Sequence, residues 1–308
     1  MVDWSGGNRR RAGKQDCIWI AHGPATVASP KTVSPPSRTE AEQIIRSLLQ
    51  SIVTSNGRVL LCADFGYGYP AGFAALLQKS VPTGLPPWRI VWEYLTKQVQ
   101  DDLGTKPGAK PTNCSNRFEV ANAINAAVSS PSFCGPFWGL FKSGAYACVP
   151  QKRPAQPFTW TGAKIASLRI TDKRAKSDTP FRLFGTGSVG SQVLTVSHDS
   201  TASDLILNSP GAPPFGPLRP GGRPGRGCGS IHSCESFTPR SIPGPQRESL
   251  TGTIKDRGQV CAMLHWARDL DAMNLLVKEF AIPPGITSGS QDDIVIRSEE
   301  GWILGCLS

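Results

Sequence analysis

The chain has 308 residues, 39% of them hydrophobic and 18% charged, enough to bury a core without disulfides or metals and too apolar for a wholly disordered chain. Its formal net charge is +10, from 33 basic against 23 acidic residues, a balance suited to a polyanionic partner, nucleic acid first. No run approaches the roughly 18 apolar residues that span a bilayer, and the basic stretch Arg9–Arg11 is not followed by the apolar region of a secretory signal, so no membrane partner and a cytoplasmic location are expected.

Val2-Asp3 reads as the end of a strand whose beginning is missing, and Cys17–Ala21 as the next strand. Thr39-Glu-Ala-Glu starts a helix whose Ile44, Ile45, Leu48, Leu49 and Ile52 keep helical spacing. Val59–Ala63 is a buried-type strand ending at Asp64, and Ala71–Leu77 a short helix behind Pro70. Trp88–Asp102 and Arg117–Val128 read as amphipathic helices around a Gly/Pro/Lys loop at 104–112. Phe181–Phe184 reads as a strand, Val189–Val196 as a helix, 256–271 as a long helix, and Trp302–Gly305 as a terminal strand.

One segment departs from this pattern. Between Val196 and Ser249, 17 of 54 residues are Pro or Gly, five are Arg and none is Lys, with neither helical nor strand period. A structureless stretch of that length is unusual inside a domain. A disordered insertion or a shifted reading frame through GC-rich DNA would each produce it.

The nine cysteines (17, 62, 114, 134, 148, 228, 234, 261 and 306) form no C-x-x-C pair, which removes zinc-ribbon spacing and points to reduced thiols, with Cys62 and Cys261 as small buried hydrophobes.

Asp3 and Asp64 form the strongest chemical constellation. Each is a carboxylate at the end of an apolar strand, and two such strands side by side would bring like charges together. That pairing calls for a cation, Mg²⁺ or Mn²⁺, which in pairs activates water and stabilises the leaving oxygen of a phosphodiester. Asp256, opening the last long helix, completes the set; for each acid alone, a turn or cap role is the simpler alternative. Asp292, Asp293, Glu299 and Glu300 read as solvated. Between Lys142 and Arg182 stand nine Lys/Arg against Asp172 and Asp178; Lys152, Arg153, Lys173, Arg174 and Lys176 are the phosphate-contact candidates, a solvated basic face being the alternative. Gly185-Thr-Gly-Ser-Val-Gly190 matches a dinucleotide fingerprint, with Asp204 downstream, yet without a second βαβ strand it reads better as a tight turn. The four histidines lack metal spacing, and Trp88, Trp92, Trp138 and Phe137 read as core.

Taken together, Val2-Asp-Trp-Ser5, Asp64-Phe-Gly-Tyr-Gly-Tyr-Pro70, Asn116-Arg-Phe-Glu-Val-Ala121, Gly135-Pro-Phe-Trp-Gly139, Phe181-Arg-Leu-Phe-Gly-Thr-Gly-Ser-Val-Gly-Ser-Gln192 and Glu299-Glu-Gly-Trp-Ile-Leu-Gly305 resemble a bacterial family of unknown function described as predicted RNase H-like nucleases. The resemblance spans roughly 1–195 and 251–308. It implies an α/β fold, an RNase H-like mixed sheet flanked by helices, here as a single domain over 1–308 with a helical and loop insertion at 88–180. It places the acids on the first strand, on a later parallel strand and at the last helix, where Asp3, Asp64 and Asp256 stand. It also implies a strand with an acidic motif between Gln192 and the last helix; that stretch here is the Gly/Pro-rich 196–250, whose only central acid is Glu235, and no role is carried onto it. The expectation is a metal-dependent nuclease or phosphodiesterase. The alternatives are a catalytically inactive nucleic-acid-binding or accessory protein on the same fold and, by fold analogy alone, a phosphotransfer enzyme.

Overall fold

In the computed structural model, residues 1–26, 29–55, 57–128, 135–140, 146–154, 158–160, 163–185, 187–196, 230–236 and 254–304 are described. They divide into two compact units, one formed by Met1–Phe65, Ser200–Asp293 and Trp302–Ser308, the other by Gly66–Asp199 and Ile294–Gly301.

The first unit is an α/β layer structure. In chain order its elements are β1 (Val2–Asp3), β2 (Trp19–His22), β3 (Lys31–Val33), α1 (Arg38–Thr54) and β4 (Arg58–Ala63). The second unit then supplies α2 (Phe73–Leu77), α3 (Pro87–Gln98), α4 (Arg117–Val128), β5 (Phe158–Trp160), β6 (Ala163–Ile165), α5 (Ile170–Ala175) and α6 (Gly190–Val196). The first unit resumes with β7 (Ser230–Ser236), α7 (Lys255–Ala272), α8 (Leu276–Glu279) and β8 (Ile303–Leu304).

Its mixed sheet has the strand order β3-β2-β1-β4-β7-β8. β1 runs antiparallel to β2 and parallel to β4, and β4, β7 and β8 are mutually parallel neighbours. The side-chain alternation of β4 explains why helices cover both faces. Val59 and Leu61 pack against Leu49, Ile45 and Val53 of α1, whereas Leu60 and Cys62 pack with Trp266 of α7 and with Leu304. α7 also lays Val260 and Leu264 on Cys17, Trp19 and Ala21. α1 begins where Ser37, in extended conformation, accepts a bond from the Glu40 N–H at 3.2 Å, a cap of the Ser-x-x-Glu type.

Three expectations are corrected here. The segment from 196 to 250 contains a strand, β7, paired with β4 over six register positions from Arg58↔Ser230 to Ala63↔Glu235. Its sequence, Ser-Ile-His-Ser-Cys-Glu-Ser, lacks the apolar run normal for a central parallel strand, so no periodicity announced it. The rest of the anomalous segment lies outside the described residues. Phe181–Phe184 makes one isolated bridge, Trp138↔Arg182, and no strand. Cys62 is disulfide-bonded, so among the described residues the free thiols are Cys17, Cys114, Cys148 and Cys261. β3 was not foreseen, because Lys31-Thr-Val33 is too short and polar to show a period.

The second unit is built around an aromatic cluster. Tyr69, Phe73, Phe137 and Phe181 lie 4.4 to 5.9 Å apart between ring centroids. The buried Asn125 amide donates to the Phe137 and Cys148 carbonyls and accepts from Phe137 N–H. A Cβ at Gly135 would come within 2.4 Å of that amide, so only glycine fits beside it. Trp92 and Phe137 are buried as expected of core aromatics, while Trp88 and Trp138 are partly exposed. No helix among the described residues is long and apolar enough to cross a membrane.

Candidate active site

Pairing of β1 with β4 sets Val2 opposite Ala63, so the next residues, Asp3 and Asp64, leave adjacent parallel strands side by side. The Asp64 N–H donates to Val2 O at 3.1 Å, continuing the ladder to the acid itself. Trp4 N–H donates to Asp64 Oδ1 at 2.8 Å, and the Trp4 ring, 4% exposed, stands edge-on to Phe65. The chain beyond Trp4 is held by Arg38, whose buried guanidinium donates to Ser5 O at 3.1 Å and Gly7 O at 2.8 Å.

The two carboxyls are hydrogen-bonded to each other. Burial, then the Asp64 and Asp256 charges, push Asp3 up to about 10, with Lys255 opposing. Burial raises Asp64 to about 7, against the stabilising bonds from Trp4 N–H, the Asp3 side chain and its own N–H. Two desolvated carboxyls this close cannot easily both ionise, so both are held above the usual carboxylate range, Asp3 further than Asp64.

Asp256 lies in the first turn of α7, buried. Its Oδ2 accepts from Asp16 N–H at 2.5 Å. Burial raises its pKa and the Asp16 charge adds to the rise, against the Asp16 N–H bond and Lys255. The structure thus brings all three acids into electrostatic reach within the first unit. Among the described residues, no group of three or more His, Cys, Asp or Glu side chains is arranged to hold a metal ion. Carboxylate oxygens are of the donor type that hard divalent cations take, so the residue types fit such an ion.

No family model matches the chain, and no curated protein or solved structure matches it.

Two further acids bear on this site, Glu235, onto which the sequence carried no role, and Asp16, which it did not single out. Glu235 occupies the β7 register position opposite Ala63, the residue before Asp64. Its signal was the acidic strand that the family resemblance implies between Gln192 and the last helix, set against a local composition unlike a strand. Asp16, at φ 58°, donates its backbone N–H to the Asp256 carboxylate.

The basic candidates all belong to the second unit. Lys152, Arg153, Lys173 and Lys176 are exposed and Arg174 partly so. The Arg153 guanidinium donates to Ser167 Oγ. Lys173 and Arg174 lie in the last turn of α5, where the helix dipole favours cations. Other cations of the same stretch are committed: Arg169 to Asp172 at 2.7 Å, both buried, and Arg182 to Asp178 at 2.6 Å.

The acids expected to be solvated near the chain end are corrected. Asp293 is 4% and Glu300 2% exposed; only Asp292 is open to solvent. Glu299 Oε1 accepts from Gly72 and Ala74 N–H, and the two Glu300 oxygens accept from Ala71 and Ile170 N–H. Arg169 donates to Glu300 O. A Cβ on Gly68 would stand 2.2 Å from Glu299 O, which explains a glycine in Asp64-Phe-Gly-Tyr-Gly68. Gly190 is likewise a close approach of backbone, its Cβ position 2.5 Å from Arg182 O, in keeping with the tight-turn reading of the glycine-rich motif. These motif residues stitch the second unit together, and the candidate chemistry belongs to the first.

Proposed function

We propose that the protein is a divalent-metal-dependent nuclease or phosphodiesterase on an RNase H-like fold. The observation that carries the proposal is the Asp3–Asp64 pair, two coupled carboxyls at the ends of adjacent parallel strands, with Asp256 on the last long helix in reach of their charge. Asp3 and Asp64 would hold Mg²⁺ or Mn²⁺, and Asp256 would complete the site. When bound, the metal supplies activation of water and charge stabilisation at a phosphodiester. The chain's own part is to hold the acids in place. The β1–β4 ladder and Trp4 N–H fix Asp64, Arg38 fixes the chain after Asp3, and Asp3, held above the usual carboxylate range, would have to be ionised to hold a cation. Lys152, Arg153, Lys173, Arg174 and Lys176 supply exposed positive charge for phosphates.

The test is cleavage of labelled DNA and RNA, single- and double-stranded, with Mn²⁺ or Mg²⁺ and with chelator. Activity that requires metal and disappears in Asp3→Asn and Asp64→Asn supports the proposal. Cleavage that survives chelation or Asp64→Asn overturns it.

A second reading is a nucleic-acid-binding protein without catalysis, favoured by the burial of Asp3 and Asp64, which holds both carboxyls above the usual range and works against the charged forms a cation needs. Salt-sensitive binding with no turnover under any metal would select it.

A further inference from the structure

The loop between α3 and α4 is laced from both ends. Asp102 Oδ1 accepts from Thr112 N–H at 2.7 Å and Asn113 N–H at 3.1 Å, and Asp102 O accepts from Thr105 N–H at 3.0 Å. Leu103 N–H donates to Cys114 O at 3.1 Å, and the Thr105 and Thr112 hydroxyls meet at 3.3 Å. Below them the Asn116 side chain ties Gln98 O and Gln100 N–H together. Asp102 and Asn113, at the two feet of the loop, both adopt positive φ, 57° and 75°, which these residue types tolerate best among side-chain-bearing residues. At the tip, Lys106-Pro-Gly-Ala109 closes a turn, with Ala109 N–H donating to Lys106 O at 3.0 Å and Gly108 at φ 78°. Pro second and Gly third is the pattern of a type II turn.

Ordering such a loop costs backbone entropy, and residues 106–110 return none of it by burial, since all five are exposed. The lacing holds an ordered tip in water. That tip presents Lys106 and Lys110, neither of which has an ion-pair partner among the described residues, whereas Lys97 on α3 lies 3.8 Å from Glu93. The loop has no acid between Asp102 and Thr112 and no aromatic ring on which a base could stack, so its chemistry suits phosphates rather than bases.

We propose that the 103–112 loop is a docking element for the sugar–phosphate backbone of a nucleic-acid duplex, with Lys106 and Lys110 each contacting a phosphate. The inference rests on the reading that nucleic acid is the partner, and it is independent of catalysis.

The experiment measures anisotropy of labelled DNA duplexes of several unrelated sequences against the full chain, without divalent metal, over a salt series. With Lys106→Gln/Lys110→Gln, binding weakens alike on every sequence. The slope of log K against log salt becomes shallower by about 0.9 per lost phosphate contact, about 1.8 for the pair. Lys97→Gln leaves the slope unchanged. Thermal melting of the double variant matches that of the wild type, because both lysines are exposed. An unchanged slope in the double variant overturns the proposal, as does a wild-type chain that binds no duplex at low salt or binds single strands alone. Failure of metal-dependent cleavage leaves this result standing and strikes only the catalytic reading; an unchanged slope alongside intact cleavage strikes only the loop.

Discussion

Replacing Asp64 by Asn should stabilise the chelator-treated protein, increasingly as pH rises from about 4 to 7. The side chain keeps an oxygen for the Trp4 N–H bond at 2.8 Å and loses the charge. In the folded chain burial holds Asp64 at about 7 instead of 3.8 and Asp3 at about 10. A carboxyl whose folded pKa is raised contributes fully below its unfolded pKa, and that contribution is lost as pH rises through the folded one. Wild-type stability should therefore fall from about pH 4 through 7, and further toward 10. At 1.36 kcal/mol per unit, the rise at Asp64 corresponds to about 4 kcal/mol. Asp64 keeps some exposed surface, so solvent screening reduces this to about 2–3 kcal/mol. That is a large share of a typical 5–15 kcal/mol and worth roughly 3–5 °C in Tm for a chain of 308 residues. The assay is thermal or urea unfolding of chelator-treated wild type and Asp64→Asn between about pH 3.5 and 9. The two should nearly coincide at about pH 3.5, separate progressively between about pH 4 and 7, and stay apart in favour of the variant at pH 9. Wild-type stability that is flat over this range, or a variant less stable at pH 9, would refute the reasoning.

Mn²⁺ or Mg²⁺ at a hundred times its dissociation constant should add about 2.7 kcal/mol to the wild type. With the metal held at that one concentration, set from the dissociation constant at pH 8, the gain should shrink at pH 6 and be absent in Asp64→Asn, as read by Tm; a pH-independent gain equal in both proteins would count against the site. Arg169→Ala should cost about 3–5 kcal/mol in urea unfolding, because it strands Asp172 and removes a donor to Glu300 O in a buried network. A loss under 1 kcal/mol would show that the network is dispensable. Tyr69→Phe should be neutral or slightly stabilising, since the buried Tyr69 hydroxyl has no hydrogen-bond partner among the described residues; a loss above about 1 kcal/mol would contradict that.

Local chemistry was readable along the chain. The apolar run Val59–Ala63 could be little but a buried strand, and Asp64 at its end followed from polarity alone. The helical spacing of α1, α4 and α7 is a property of neighbours three and four apart, so it survives in a linear text. β7 did not, because its pairing energy comes from the β4 backbone and not from its own Ser-rich composition. The solvated reading of Glu299 and Glu300 failed for the same kind of reason. Their partners, Gly72, Ala74, Ala71 and Ile170, stand some 130 to 230 residues away, and no local pattern records them.

By itself, then, the sequence determined an α/β composition, a surplus of positive charge and three acids at the ends or starts of apolar elements. Which acids meet was decided by tertiary structure. Strand register places Asp3 beside Asp64, and the seat of α7 on β2 carries Asp256 to them. The coupling of the pair is decided there too, because a carboxyl's pKa depends on desolvation and on charges within a few ångströms. Those distances exist only after residues 3, 64 and 256 have been folded onto one end of the same sheet.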